Sequence, residues 1–101
     1  MAFAITKNKG EYWLRGNLTA SNAPLVKKHF EMILMNKQEL TIHLDFLDSL
    51  DTGSMFELQL LKNMAYDRHK IIHFVGQHNK KIQGTFFRTG INLFDYYEQS
   101  A

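Results

Sequence analysis

A chain of 101 residues, 45% of them hydrophobic and 13% aromatic, has the apolar content for one core but not the length for two, which excludes a large multi-domain enzyme. At 22% charged it lacks the signature of disorder, and its twelve Lys and Arg against ten Asp and Glu leave a formal charge of +2. The basic residues are scattered from Lys7 to Arg88, which argues against a nucleic-acid binder, and the absence of cysteine excludes disulfides, thiol nucleophiles and thiolate zinc sites.

Ala2 to Thr6 and Glu11 to Asn17 are β-leaning runs separated by Lys7, Asn8, Lys9 and Gly10, the composition of a hairpin loop. From Ser21 the period changes. Ser21 or Asn22 can cap, Pro24 suits a first turn, and Ala23, Val26, Phe30 and Ile33 recur at helical spacing, which predicts a helix to about Asn36. Leu40, Ile42, Leu44 and Phe46 then alternate with Thr41, His43 and Asp45 as in a strand with one apolar face. Met55, Leu58, Leu61 and Ala65 return to helical spacing and stop near Arg68. Lys70 to Val75 reads as a strand, about Asn79 to Thr89 as a weaker helix with Gly90 as its cap, and Ile91 to Tyr97 as a short last strand.

Strands alternating with helices through short loops predict an α/β fold with a four-stranded mixed sheet. Right-handed crossovers, the rule in about 98% of cases, put the crossover helices mainly on one face and leave the other partly open. The alternation in the third strand agrees, because a parallel strand covered on both faces reads as an unbroken apolar run. Met1 to Ile5 is too short for a signal-peptide core and no stretch reaches the roughly 20 apolar residues of a membrane span. The expectation is one cytoplasmic domain over 1–101 that is not inserted in a membrane.

Function in α/β folds gathers where a parallel strand leads into a helix, and here that segment is Asp45 to Ser54. It holds Asp45, Asp48 and Asp51, followed by Thr52, Gly53 and Ser54. One reading is capping, with Asp51 or Thr52 accepting from free amides at the helix start. The sharper one is modification, since a hydroxyl at a helix N-terminus is a favourable place for a phosphate. Thr52 is then the modified residue, with Ser54 two residues on as the reserve. Three nearby aspartates would repel that phosphate, so it would face a partner as a switch.

Other chemistries fail to assemble. His69 and His73 are four apart but straddle a helix end and a strand, His43 and His73 are candidates for neighbours on adjacent strands, and their sequence context offers no carboxylate or cysteine company, so no metal is expected. Ser54 has no glycine-flanked elbow and no histidine tied to it, and a domain this small rarely encloses a substrate, so neither enzyme activity nor a cofactor is expected. Phe86, Phe87, Phe94, Tyr96 and Tyr97 read as core and C-terminal packing, with room for a dimer contact. They lack the interleaved arginines of a base-stacking platform.

The chain resembles the STAS domain of bacterial anti-sigma factor antagonists, over most of its length. Leu14 to Leu18 look like the family's strand that ends before its first helix, and Leu40 to Asp51 like its apolar strand, loop and aspartate. Asp51 and Thr52 fall on the aspartate and phosphorylatable serine of the family's D-S-x-G pattern. Val75 and Gly76, then Ile82, Phe86, Phe87, Thr89 and Gly90, look like its late strand and the helix before a closing TG turn. The chain departs from the pattern in having Thr52 for serine, Gly53 and Ser54 in swapped order, Phe56 at a typically small position and Thr19 at a frequently acidic one.

The resemblance implies a STAS fold and a cytoplasmic binding module that sequesters an anti-sigma factor, often itself a serine/threonine kinase. Phosphorylation at the helix start releases the partner and a phosphatase resets the module. Asp51 would orient or cap, and Gly53, Ser54 and Met55 would form the contact rim. Domains of this kind also serve as unphosphorylated scaffold subunits of stressosome-type or lipid-transport assemblies, which is the alternative reading.

Overall fold

The computed structural model describes residues 2–94. Two antiparallel strands open it, β1 (Ala4–Asn8) and β2 (Glu11–Leu18), followed by α1 (Ala23–Leu34), β3 (Glu39–Leu50), α2 (Thr52–Asp67), β4 (Ile71–Val75) and α3 (Gln83–Thr89). The sheet order is β1-β2-β3-β4, with β2, β3 and β4 mutually parallel. This mixed four-stranded α/β arrangement is compatible with a STAS-like fold.

The hairpin is tighter than its composition predicts. β1 runs on to Asn8, and only Lys9 and Gly10 turn the chain, both at positive φ (52° and 81°), the backbone of the two-residue turn that matches strand twist. The helices follow from their apolar stripes. Ala23, Val26, Phe30 and Leu34 of α1, and Met55, Leu58, Leu61 and Ala65 of α2, are buried against Tyr12, Leu14, Ile42, Leu44, Ile72 and Phe74 of the sheet. Tyr12 meets Phe30 edge-on with ring centroids 5.3 Å apart. α1 ends at Leu34, two residues short of the predicted boundary.

β3 departs most from expectation, because it extends to Leu50 and takes up the segment predicted as a loop. Trp13 and Arg15 of β2 pair with His43 and Phe46, and Gly16 and Asn17 with Leu47 and Ser49, so β3 carries one extra residue at each of two irregularities. The first turns Phe46 out of the apolar set that Leu40, Ile42 and Leu44 begin. Phe46 is half exposed, with the Arg15 guanidinium 4.5 Å above its ring, and Leu47 and Leu50 continue the buried face instead.

Asn79 explains why the last helix starts at Gln83 and not near residue 79. Its side-chain amide donates to the carbonyls of Leu44 and Leu47, each at 2.9 Å, and its Oδ1 accepts from the Lys81 amide at 3.0 Å. Those bonds hold residues 79–81 to the irregular part of β3. Gly90 caps α3 in the left-handed conformation, as predicted. Residues 91–94 are not a strand: Ile91, Leu93 and Phe94 are buried, and Phe94 stacks on Phe86 with centroids 4.9 Å apart. The rest of the expected last strand, with Tyr96 and Tyr97, lies outside the described residues. Phe87, expected in the core, is 90% exposed.

The second face of the sheet is partly open. Trp13 and His43 are stacked there with centroids 4.1 Å apart, and His43 Nε2 lies 2.5 Å from Glu11 Oε1. His73 pairs with Glu39 at 3.6 Å. Both histidines therefore have carboxylate company, contrary to the sequence expectation, because Glu11 and Glu39 arrive through strand pairing. The pairing sets Thr41 opposite His73 and Val75 opposite His43, so the two histidines sit on a diagonal, each beside its own carboxylate.

Candidate functional site

Asp51 is the single residue between β3 and α2, and it caps the helix. Its Oδ1 accepts from the Ser54 amide at 2.8 Å and lies 2.7 Å from Ser54 Oγ, while its Oδ2 accepts from the Ala20 amide at 2.9 Å. One carboxylate thus joins α2 to the loop between β2 and α1. Burial raises the Asp51 carboxyl, but the bonds from the Ser54 hydroxyl, the Ser54 amide and the Ala20 amide together outweigh it and hold the carboxyl below its ordinary range. Asp51 remains an anion at neutral pH.

Ser54 and Met55 are both fully buried and are not part of a contact rim. Ser54 stands at the third helical position, where the chain turns inward, and its Oγ also reaches the Leu18 carbonyl at 2.9 Å. The hydroxyl proton is shared between Leu18 and Asp51, which leaves Ser54 no access to a modifying enzyme in the folded chain. Met55 begins the buried stripe of α2. Gly53 is partly exposed and marks a close approach: a Cβ there would stand 2.9 Å from Ala20 Cβ. Any larger residue pushes the β2–α1 loop away from the amide that Asp51 holds.

Thr52 is the exposed hydroxyl of this terminus, and Phe56, one turn on, is half exposed beside it in sequence. Asp45 and Asp48, expected in one acidic cluster with Asp51, are directed elsewhere. Asp45 Oδ2 lies 3.9 Å from His43 Nδ1 on the open sheet face, and Asp48 pairs with Lys81 at 3.2 Å. With β3 extended through this segment, only Asp51 is committed to the helix start.

Sequence reasoning missed the third wall of the site. Thr85 of α3 is buried and donates from Oγ1 to the Leu50 carbonyl at 2.5 Å, and Arg88 Nη2 donates to the same Thr85 Oγ1 at 3.0 Å. α3 is thereby tied to the residue before Asp51 across a separation of 35 positions, for which the local pattern carries no signal. Next to it lies a cleft of about 440 Å³, lined mainly by Gly76, Ile82, Phe86, Phe87, Gly90 and Phe94. None of the three aspartates lines it. Among the described residues no three His, Asp or Glu side chains come close enough to hold a metal ion, and no helix is long and apolar enough to cross a membrane.

No protein-family model matches the chain, and no curated protein matches it. The geometry of the α2 start is therefore what a functional reading has to stand on.

Proposed function

We propose that this chain is a regulatory protein-binding module of the STAS type, an anti-sigma factor antagonist that binds an anti-sigma factor with serine/threonine kinase character and is switched by phosphorylation of Thr52. The observation that carries the reading is the division of labour at the α2 start. Asp51 and Ser54 are consumed in holding the terminus, whereas Thr52 stands exposed on it and its side chain makes no hydrogen bond among the described residues. The backbone is already ordered, so a change at Thr52 needs no refolding to be felt.

The switch is electrostatic. A phosphate adds about −1.5 to −2 charges at neutral pH, next to the Asp51 carboxylate and inside a contact that was matched to a neutral hydroxyl. Repulsion and desolvation both weaken the complex, while the helix amides and dipole keep the phosphorylated chain folded. Removal by a phosphatase restores the neutral surface.

The test is affinity capture from the native lysate with wild-type and Thr52→Asp baits, with retained proteins identified by mass spectrometry. Recovery of a kinase-like anti-sigma factor by the wild type alone supports the switch. Equal recovery of one assembly by both baits, and by Thr52→Ala, favours a constitutive scaffold subunit. That second reading draws on the fact that Asp51, Gly53 and Ser54 all have sufficient structural reasons to be where they are.

A further inference from the structure

On the open face of the sheet, β3 carries its first extra residue where Trp13 and Arg15 of β2 pair with His43 and Phe46. Strand irregularities re-aim side chains, and this one sets Phe46 out of the core under Arg15. The guanidinium stands 4.5 Å above the Phe46 ring, and its Nε donates to Thr6 Oγ1 at 3.3 Å. One long side chain is thus held from the strands on both sides of its own. Among the described residues its two Nη nitrogens have no bonded partner.

Trp13, the single tryptophan of the chain, sits between Thr6 on β1 and His43 on β3. His43 stacks on one face of the indole with 5° between the planes, and is itself held by Glu11 at 2.5 Å. An open cleft of about 440 Å³ lies along this stretch of β1 and β2, lined by Thr6, Lys7, Asn8, Trp13, Arg15 and Phe46. Its volume is in the range of small-ligand sites. No carboxylate lines it, since Glu11 and Asp45 are turned to His43 at 2.5 and 3.9 Å. The Lys7 ammonium is turned to the Tyr12 ring, 5.7 Å from its centroid, so the charge offered to the cleft is that of Arg15.

We propose that this cleft binds a small aromatic acid, a flat ring bearing a carboxylate or a phosphate. The anion would take the Nη edge of Arg15, whose paired N–H donors match two oxygens of either group. The ring would lie against the indole face that His43 leaves uncovered, with Thr6 and Asn8 as neutral polar neighbours. Phe46 and Thr6 act as positioning residues: they hold Arg15 before a ligand arrives and so reduce the cost of ordering it. A cationic ligand would be repelled by the guanidinium, and a purely apolar one would leave its donors unused. The proposal goes beyond the reading of Thr52 and stands without it, because no residue of the α2 start lines the cleft.

The probes are naphthoate and naphthyl phosphate, with naphthylmethylamine and inorganic phosphate as controls, titrated into the full chain. The readouts are calorimetry and the single indole N–H resonance of Trp13. Both naphthyl anions should bind saturably and move that resonance, and the tighter of the two tells which acid group the site prefers. Arg15→Gln should weaken binding about tenfold, and Arg15→Lys should not restore it, because a lysine keeps the charge but loses the fork. Phe46→Leu should also weaken binding although Arg15 remains. Arg15 is exposed, so unchanged circular dichroism of Arg15→Gln secures the fold. Equal binding of the amine, inorganic phosphate binding as tightly as the naphthyl anions, or full affinity in Arg15→Gln overturns the proposal. So does the lack of saturable binding by either naphthyl anion, or shifts that fall around Phe87 and not around Trp13.

Discussion

The two long helices start at the same end of the sheet but are held in different ways. At α1 the cap residue Asn22 makes no side-chain bond into its own helix; its Oδ1 accepts from the Thr19 amide at 2.8 Å and its Nδ2 donates to the Asn17 carbonyl at 3.3 Å. Those bonds stay within the end of β2 and the short loop that precedes the helix. At α2 the Asp51 carboxylate reaches forward into the helix and sideways across 31 positions to Ala20. A cap that spans elements makes a terminus rigid, and a rigid terminus can present Thr52 to a partner without an ordering cost.

The largest effect that breaks this contrast should come from Asp51→Ala, which removes every bond the carboxylate makes. A loss of about 2 kcal/mol is expected, or a fall in Tm of roughly 10 °C by calorimetry. Gly53→Ala comes next, at about 1 kcal/mol in denaturant titration, although alanine is the better helix former by about the same amount. The new Cβ would meet Ala20, so adding Ala20→Gly should recover the loss, and a double-mutant cycle that shows simple additivity would refute the close approach.

Asn22→Ala should cost less than Asp51→Ala, about 1 kcal/mol, because its bonds reach no further than three to five residues back along the chain. Acid titration sharpens the comparison further. Asp51 titrates lower in the folded chain than in the unfolded one, so its stabilisation is complete above the unfolded pKa of about 3.9 and is lost as pH falls through the lower folded value. Asp51→Asn should flatten that part of the stability profile, and Asn22→Ala should leave it in place. The smallest effect is Thr52→Ala, expected within about 0.5 kcal/mol of wild type because its side chain is exposed and makes no hydrogen bond among the described residues. A larger loss would turn Thr52 from a presented group into a structural one.

Periodicity in the chain was enough to read both long helices, and the order of elements with the right-handed crossover rule gave the parallel strands and the one-sided placement of the helices. Met55, Leu58, Leu61 and Ala65 can share a face only in a helix, and a helix with that face must cover the sheet. The same reading went wrong in β3, where Leu44, Leu47 and Leu50 are spaced by three and no longer by two. That spacing was visible, but it marks two irregular pairings with β2 only once β2 is in register beside it.

At the candidate site the sequence by itself determined the Asp-Thr-Gly-Ser run and its place at the start of a helix, since capping residues and the apolar stripe are local signals. Tertiary structure decided which of them is exposed. Ser54 and Thr52 are two residues apart and chemically alike, yet helical rotation turns one into the core beside Leu18 and leaves the other outside. It also brought Ala20 and Thr85 to the site through contacts over more than 30 positions, and Arg88 along with Thr85. Such contacts depend on how layers stack, and stacking is set by the summed burial of the core and not by any short run of residues.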